Sequence, residues 1–338
     1  MKINTAAFSM IVVIVLGCIV YANSLSGKFV WDDHLLIKHN KYIQDYKYIP
    51  KLFTESTGAG AGVNNAYYRP IELLTYMFDY SLWKLDEHGY HLTNIIMHIA
   101  MSISVFWLVR ILFKDSMLSF LTSVLYVIHP IHVEAVAYIT GRPEIPAAFF
   151  MVCCVIFYDR FFKHKKPIFY VLALASCVLA FLSRENSVIL PFLLLLWHYA
   201  SKNRVRLCLF LPFLCITAFY IVLRLTILSF TKNYGVWFFS ASLRIPGFFA
   251  AVFDYLRFLV LPRGLHSAYG PGSMAFSWGN PRVITGIFLV ALFVFFACYK
   301  KTSNRLITFS ILWFFTALAP YTNIYPCLPF YMNDHHMY

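Results

Sequence analysis

Asp32 and Asp33 stand side by side in Phe29-Val-Trp-Asp-Asp-His34, just past the first long apolar run. A carboxylate beside an acceptor hydroxyl is a general base. An adjacent pair can also hold a divalent cation or cap a helix. Arg142, flanked by Gly141 and Pro143, and Arg184, in Ser183-Arg-Glu-Asn186, follow at two later junctions. Such a guanidinium forks onto two phosphate oxygens or snorkels to lipid headgroups. Arg184 can equally form an ion pair with Glu185 that caps a helix. The stretch His129 to Glu144 gathers His129, His132, Glu134, Arg142 and Glu144 in sixteen residues. The first three are metal-ligand types, but the HExxH spacing is absent, which argues against a zinc protease and against a structural metal. His91, Asn94, His98 and Ser102 share one side of an apolar run, where they either bond helix to helix or line a polar cavity. Carboxylates from one loop and guanidiniums at two helix ends suit a reaction on a phosphate-bearing lipid in an outward pocket at membrane depth.

The elements that must position these groups follow from composition. Of 338 residues, 60% are apolar and 13% charged, far from a soluble domain's balance. Repeated apolar runs of membrane-spanning length predict an all-α polytopic membrane protein forming one domain over 1–338. Expected spans are about 6–22, 91–113, 117–139, 144–162, 167–182, 187–201, 207–229, 283–299 and 306–320. The net charge of +13 sits in short loops: Lys114; Lys163, Lys165 and Lys166; Lys202, Arg204 and Arg206; Lys300, Lys301 and Arg305. With Lys2 they fit one inside register, so the charge reports topology and not nucleic acid. The interval 230–281 then holds an even number of crossings, with Ile245 to Leu261 as half of a hairpin or as an interfacial or re-entrant helix.

The run from Ala6 to Ala22 lacks a small-x-small cleavage site before Tyr21-Ala22-Asn23 and reads as an uncleaved first helix. Eight cysteines, Cys327 among them, form no CxxC pair and read as buried thiols.

Acidic residues collect on the other side, most of them in one loop over 23–90. Within it Ile71, Leu74, Phe78 and Leu82 recur at helical spacing, with Glu72 and Asp79 on another face, which predicts an amphipathic helix on the membrane surface. Gly58-Ala-Gly-Ala-Gly62 ahead of it reads as a flexible tip able to move over a substrate.

Six segments in order carry a resemblance: Phe29-Val-Trp-Asp-Asp33, Tyr68-Arg-Pro70, His91-Leu-Thr-Asn-Ile-Ile-Met-His98, His129-Pro-Ile-His-Val-Glu-Ala-Val136, Gly141-Arg-Pro-Glu144 and Ser183-Arg-Glu-Asn186. From about residue 10 to the last residue the chain resembles the membrane domain of the transmembrane-and-TPR protein O-mannosyltransferases and their prokaryotic relatives. The resemblance implies a GT-C fold and an inverting glycosyltransferase using dolichyl- or undecaprenyl-phosphate mannose. The family's first-loop acidic motif falls on Asp32 and Asp33, one of them the catalytic base, with Asp33 the first choice. Arg142 is the first choice for the donor phosphate and Arg184 the second, although relatives often carry Lys there. His132, Glu134, His91, His98, Arg69 and Glu185 are expected in the substrate pocket. No cofactor is required by the pattern, and the acid pair leaves a divalent cation open. The partners implied are a polyprenyl-phosphate sugar and a protein or glycan acceptor in a bilayer. The membrane would be the plasma membrane in a prokaryote or the endoplasmic reticulum in a eukaryote, with the site on the outer or lumenal face. No TPR repeat is present, and the chain stops at Asn333-Asp-His-His-Met-Tyr338 where relatives continue into further spans, so it is expected to be truncated.

Two readings from other classes stand beside this one. A lipid-linked saccharide flippase or other transporter calls for polar residues within most spans and pseudo-symmetric halves, neither of which is visible. A non-catalytic scaffold makes Asp32 and Asp33 a cap or cation site.

Overall fold

The apolar runs fold as helices because a lipid-facing backbone must satisfy its own polar groups. The computed structural model describes residues 5–230, 241–266, 277–299, 305–321 and 338. Lys2, Lys300, Lys301, Cys327 and 333–337 lie outside them. The described chain is all-α and carries no strand. Its helices are α1 (Thr5–Tyr21), α2 (Ile49–Leu52), α3 (Pro70–Trp83), α4 (Glu87–Phe113), α5 (Ser116–Ile128), α6 (Val133–Ala137), α7 (Glu144–His164), α8 (Pro167–Ser183), α9 (Leu190–Ser201), α10 (Leu207–Leu225), α11 (Ala241–Val260), α12 (Pro281–Cys298) and α13 (Arg305–Leu318).

A helix occupies each of the nine apolar runs. Five helical stretches among the described residues are long and apolar enough to cross a membrane: Thr5–Ser26, Glu87–Phe113, Ile139–His164, Leu207–Leu225 and Pro281–Cys298. The run over 117–139 is broken rather than continuous. His129 precedes Pro130 and is extended (φ −70°, ψ 125°), because the proline ring disfavours a helical residue before it. Two short turns of helix follow, Pro130–His132 and Val133–Ala137. Residues 245–260 lie within one helix, α11, with Leu261 just past its end; the helix carries Arg244, Asp254 and Arg257 and is not among those five.

The described residues fall into two compact units. In the first, α1, α4 and α5 pack together, α4 also packs on α7, and α7 runs along α8. Lys114 and Lys165 close α4 and α7 in the left-handed conformation (φ 57° each), so basic loop residues double as helix caps.

The loop over 23–90 is folded, with its own core of Phe29, Ile37, Ile43, Leu52, Leu73, Tyr76, Met77, Tyr90 and Ile139. The Gly58–Gly62 segment is a packed turn and not an open tip. Asn40 donates to the Thr57 carbonyl (3.2 Å), and a Cβ at buried Gly60 would sit 1.8 Å from Asn40 Oδ1. The glycine is there for close approach of backbone to a buried amide.

The second unit contains most of α9 with α11, α12 and α13. Ala250, Ala251, Val252, Tyr255 and Phe258 of α11 share a core with Val283 of α12 and Leu318. The two helices approach closely at Gly286, where a Cβ would stand 1.9 Å from the Phe249 carbonyl oxygen. Backbone cannot yield as a side chain can, so Gly286→Ala is expected to destabilise by about 1–3 kcal/mol. A lowered thermal unfolding midpoint in detergent checks it.

Candidate functional site

α3 starts at Pro70, whose fixed φ suits a first helical position. The later part of its apolar stripe faces outward, with Phe78 and Leu82 56% and 57% exposed, whereas Leu74 packs on the loop's core and Glu72 and Asp79 are buried. The amphipathic helix therefore turns its acids toward the protein.

Asp79 meets Arg142 there. Arg142 has no accessible surface, and Nη1 lies 2.6 Å from Asp79 Oδ2. Its Nε donates to Asn94 Oδ1 (2.5 Å), Nη1 to Thr75 Oγ1 (3.1 Å) and Nη2 to the Tyr90 carbonyl (3.0 Å), with the guanidinium 4.6 Å from the Tyr76 ring centre. Burial pushes Asp79 above the usual carboxylate range, and Arg142 and Thr93 pull it back. A guanidinium so engaged presents nothing to a phosphate. Arg142, expected at the donor, instead bolts α3 and α4 to the start of α7.

Asn94 supports the same junction by donating to the Val136 carbonyl (3.1 Å). His98, lower on α4, contacts the Val127 carbonyl (3.2 Å) and lies between the Tyr21 and Tyr126 rings. Ser102 donates to the His98 carbonyl (2.8 Å), and His91 is buried against Gly27. Asn94 and His98 thus bond α4 to neighbouring segments, while both histidines of the stripe are buried.

The acid pair is divided in two. Asp33 is fully buried, its Oδ2 accepting Val30 N–H (2.9 Å) and its Oδ1 accepting Thr140 N–H (3.0 Å). Burial raises its pKa against those two hydrogen bonds, with the neighbouring Asp32 charge adding to the rise. Asp32 is exposed; its amide donates to the Tyr138 hydroxyl (3.2 Å), and its carboxylate makes no hydrogen bond or ion pair among the described residues. Trp31 just before it is held at φ 46° and is 70% exposed, edge-on to Tyr138 (5.6 Å). Positive φ in a bulky residue is strained, and such strain collects at functional sites.

The second charged group centres on Arg69, which pairs with Glu185 through Nε–Oε2 (2.9 Å) and Nη2–Oε1 (3.3 Å). Its Nη1 lies 4.0 Å from Glu72 Oε2. Burial raises Glu185, but Arg69 more than offsets it and holds the carboxyl at about 2. Burial pushes Glu72 up to about 7, against the pull of Arg69 and the Tyr76 hydroxyl. Arg184 forms an ion pair with Glu144, and its buried Nε has no hydrogen-bond partner among the described residues. A buried donor without a partner is costly and marks a place where a ligand oxygen would be welcome.

His132 and Glu134 belong to the second unit, where the His132 ring lies edge-on to Tyr338 (4.8 Å). Among the described residues no three His, Cys, Asp or Glu side chains gather as a metal site. Residue types alone missed Glu72, Tyr76 and Asp79 as members of the charged network. The i, i+7 spacing of Glu72 and Asp79 was the available signal for the first and third.

Fold and site together define a polytopic all-α membrane protein with acids and arginines embedded in and beneath its first long loop. Residues 71–230 match the family model of dolichyl-phosphate-mannose-protein mannosyltransferases. The chain is 35% identical over 162 residues to human protein O-mannosyl-transferase TMTC3, an alignment covering 47% of this chain and 17% of that protein. Human TMTC1 is 30% identical over 187 residues, covering 51% and 21%. Protein O-mannosyl-transferase F38B6.6 of Caenorhabditis elegans is 30% identical over 158 residues, covering 45% and 23%. The chain thus resembles these O-mannosyltransferases, and the matched part spans about a fifth of their length. No solved structure matches the chain.

Proposed function

We propose that the chain is the catalytic membrane region of a GT-C glycosyltransferase that moves mannose from a polyprenyl-phosphate donor to an acceptor hydroxyl, with inversion. The acceptor is a Ser or Thr of a protein, and the site opens on the outer or lumenal face. The donor and acceptor rest on the resemblance to named O-mannosyltransferases. The observation that carries the chemistry is the division of labour in the acid pair. Asp32 is exposed and uncommitted, whereas both oxygens of Asp33 are taken by backbone amides.

Asp32 is therefore the base, reversing the preference for Asp33, and Asp33 sets its position. Asp32 takes the acceptor's hydroxyl proton as the oxygen attacks the anomeric carbon. The bond from that carbon to the phosphate oxygen breaks, and its electron pair leaves with the lipid phosphate. The departing charge needs a cation rather than an acid. Arg184, with a free Nε, takes that role in place of Arg142, and Arg69 with Glu185 holds the neighbouring wall.

Membranes carrying the chain are incubated with labelled polyprenyl-phosphate mannose and a peptide acceptor. Label on the acceptor hydroxyl is expected, and label remaining wholly on lipid sinks the reading. Arg184→Ala is expected to raise the donor KM about 10–100-fold, the worth of one charge-assisted hydrogen bond of about 1.5–3 kcal/mol.

A further inference from the structure

The Tyr76 hydroxyl sits 3.1 Å from Glu72 Oε1 and 3.1 Å from the Ile139 carbonyl oxygen, all buried. A phenol carries one proton, and a carboxylate and a carbonyl are both acceptors. With Glu72 ionised, one of these two contacts lacks a hydrogen. With Glu72 protonated, both are made: its O–H donates to Tyr76 Oη, and Tyr76 donates to Ile139.

The next amide, Thr140 N–H, is the one that holds Asp33. Asp33 in turn fastens Val30, at the start of the turn that carries Asp32. A continuous chain of contacts thus joins the wall of the arginine cluster to the acid pair. The groups facing Glu72 are Arg69 ahead of α3, Tyr76 within it, and Arg184 and Glu185 from the segment after α8, while Arg142 and Asp33 face Tyr76. Arg69 is already claimed bidentately by Glu185 and stands 4.0 Å from Glu72, so it is a weak counter-ion for it.

We propose that Glu72 and Tyr76 are positioning residues, in which a protonated Glu72 directs the Tyr76 hydroxyl onto the Ile139 carbonyl and so holds the 139–141 turn that seats Asp33 and the base beside it. The proposal rests on the reading of Asp32 as that base. Burial of Glu72, which lifts its carboxyl to about 7, agrees with a protonated working form. The raised pKa fixes the sign: the chain of hydrogen bonds is closed below about pH 7 and opens as pH rises through it.

Two measurements test this. Infrared titration of the whole protein should show a carboxylic-acid band that disappears with a midpoint near pH 7 and is missing from Glu72→Gln. No such band overturns the proposal whatever the activity. Transfer of mannose from labelled donor is then followed between about pH 5.5 and 9, a window set by the unperturbed pKa values on either side. Wild-type kcat should fall about tenfold on the alkaline side, as a small displacement of the base would produce. Glu72→Gln, whose amide always donates, should carry its plateau past pH 8. Tyr76→Phe keeps the ring under Arg142 and should lower kcat about tenfold at every pH, with donor KM within about twofold. An unshifted alkaline limb in Glu72→Gln, or wild-type kcat in Tyr76→Phe, overturns the proposal. If Tyr76→Phe does not fold, the infrared band and the Glu72→Gln profile decide. Failure of the base itself would appear separately, as normal transfer by Asp32→Asn.

Discussion

Replacing Asp32 by Asn is expected to lower mannose transfer by about 10²–10⁴-fold, the usual contribution of a positioned general base. The side chain is exposed and its carboxylate has no partner to lose. Its amide keeps the hydrogen bond to Tyr138. The unfolding midpoint should therefore stay where it is while the rate collapses. Asp33→Asn should behave differently. Two backbone N–H groups converge on that carboxylate, and an amide can offer an oxygen to only one of them. The other is left buried and unsatisfied, at a cost of about 1–3 kcal/mol. Transfer then falls together with stability, because the turn carrying Asp32 moves. The comparison is decided by measuring initial rates and unfolding midpoints of both variants in one detergent. Wild-type rates for Asp32→Asn would remove Asp32 from the mechanism.

Arg142→Gln is expected to cost about 3–5 kcal/mol of stability, enough to prevent accumulation of the folded chain. The guanidinium is fully enclosed, and its removal leaves the buried Asp79 carboxylate with only the Thr93 hydroxyl. Asn94, Thr75 and the Tyr90 carbonyl lose a partner as well. Asp79→Asn in the same background should restore part of the loss, since it removes the stranded charge; in a double-mutant cycle the pair should couple strongly. The readout is folded protein after detergent extraction, with its unfolding midpoint. Normal stability together with a raised donor KM in Arg142→Gln would instead make Arg142 a donor-binding residue.

The membrane class was legible because it depends on composition and run length, which tertiary contacts do not alter. A lipid environment leaves helices as the way to satisfy the backbone, so nine apolar runs became helices, with a break where Pro130 follows His129. The apolar stripe of α3 could be read in the same way, from its period. Its direction could not be read. Ile71, Leu74, Phe78 and Leu82 would read as a core face in a soluble protein, yet Phe78 and Leu82 look outward and Glu72 and Asp79 inward.

Residue types and motif order singled out Asp32, Asp33, Arg69, Arg142, Arg184 and Glu185 as candidate site residues. Which of them are already engaged by partners is seen only in the tertiary structure. Asp32 and Asp33 are the same residue one position apart, yet the nearby Val30 amide and that of Thr140, over a hundred positions away, engage both oxygens of Asp33 and leave Asp32 exposed. Arg142 and Arg184 are likewise the same residue type, with Arg142 ranked first from the sequence. Asp79 and Asn94 consume the first, while the second keeps a donor in reserve. The physical reason is the same in both cases. A polar group's availability depends on how many partners the fold has already brought to it, and those partners come from distant segments that spacing along the chain does not reveal.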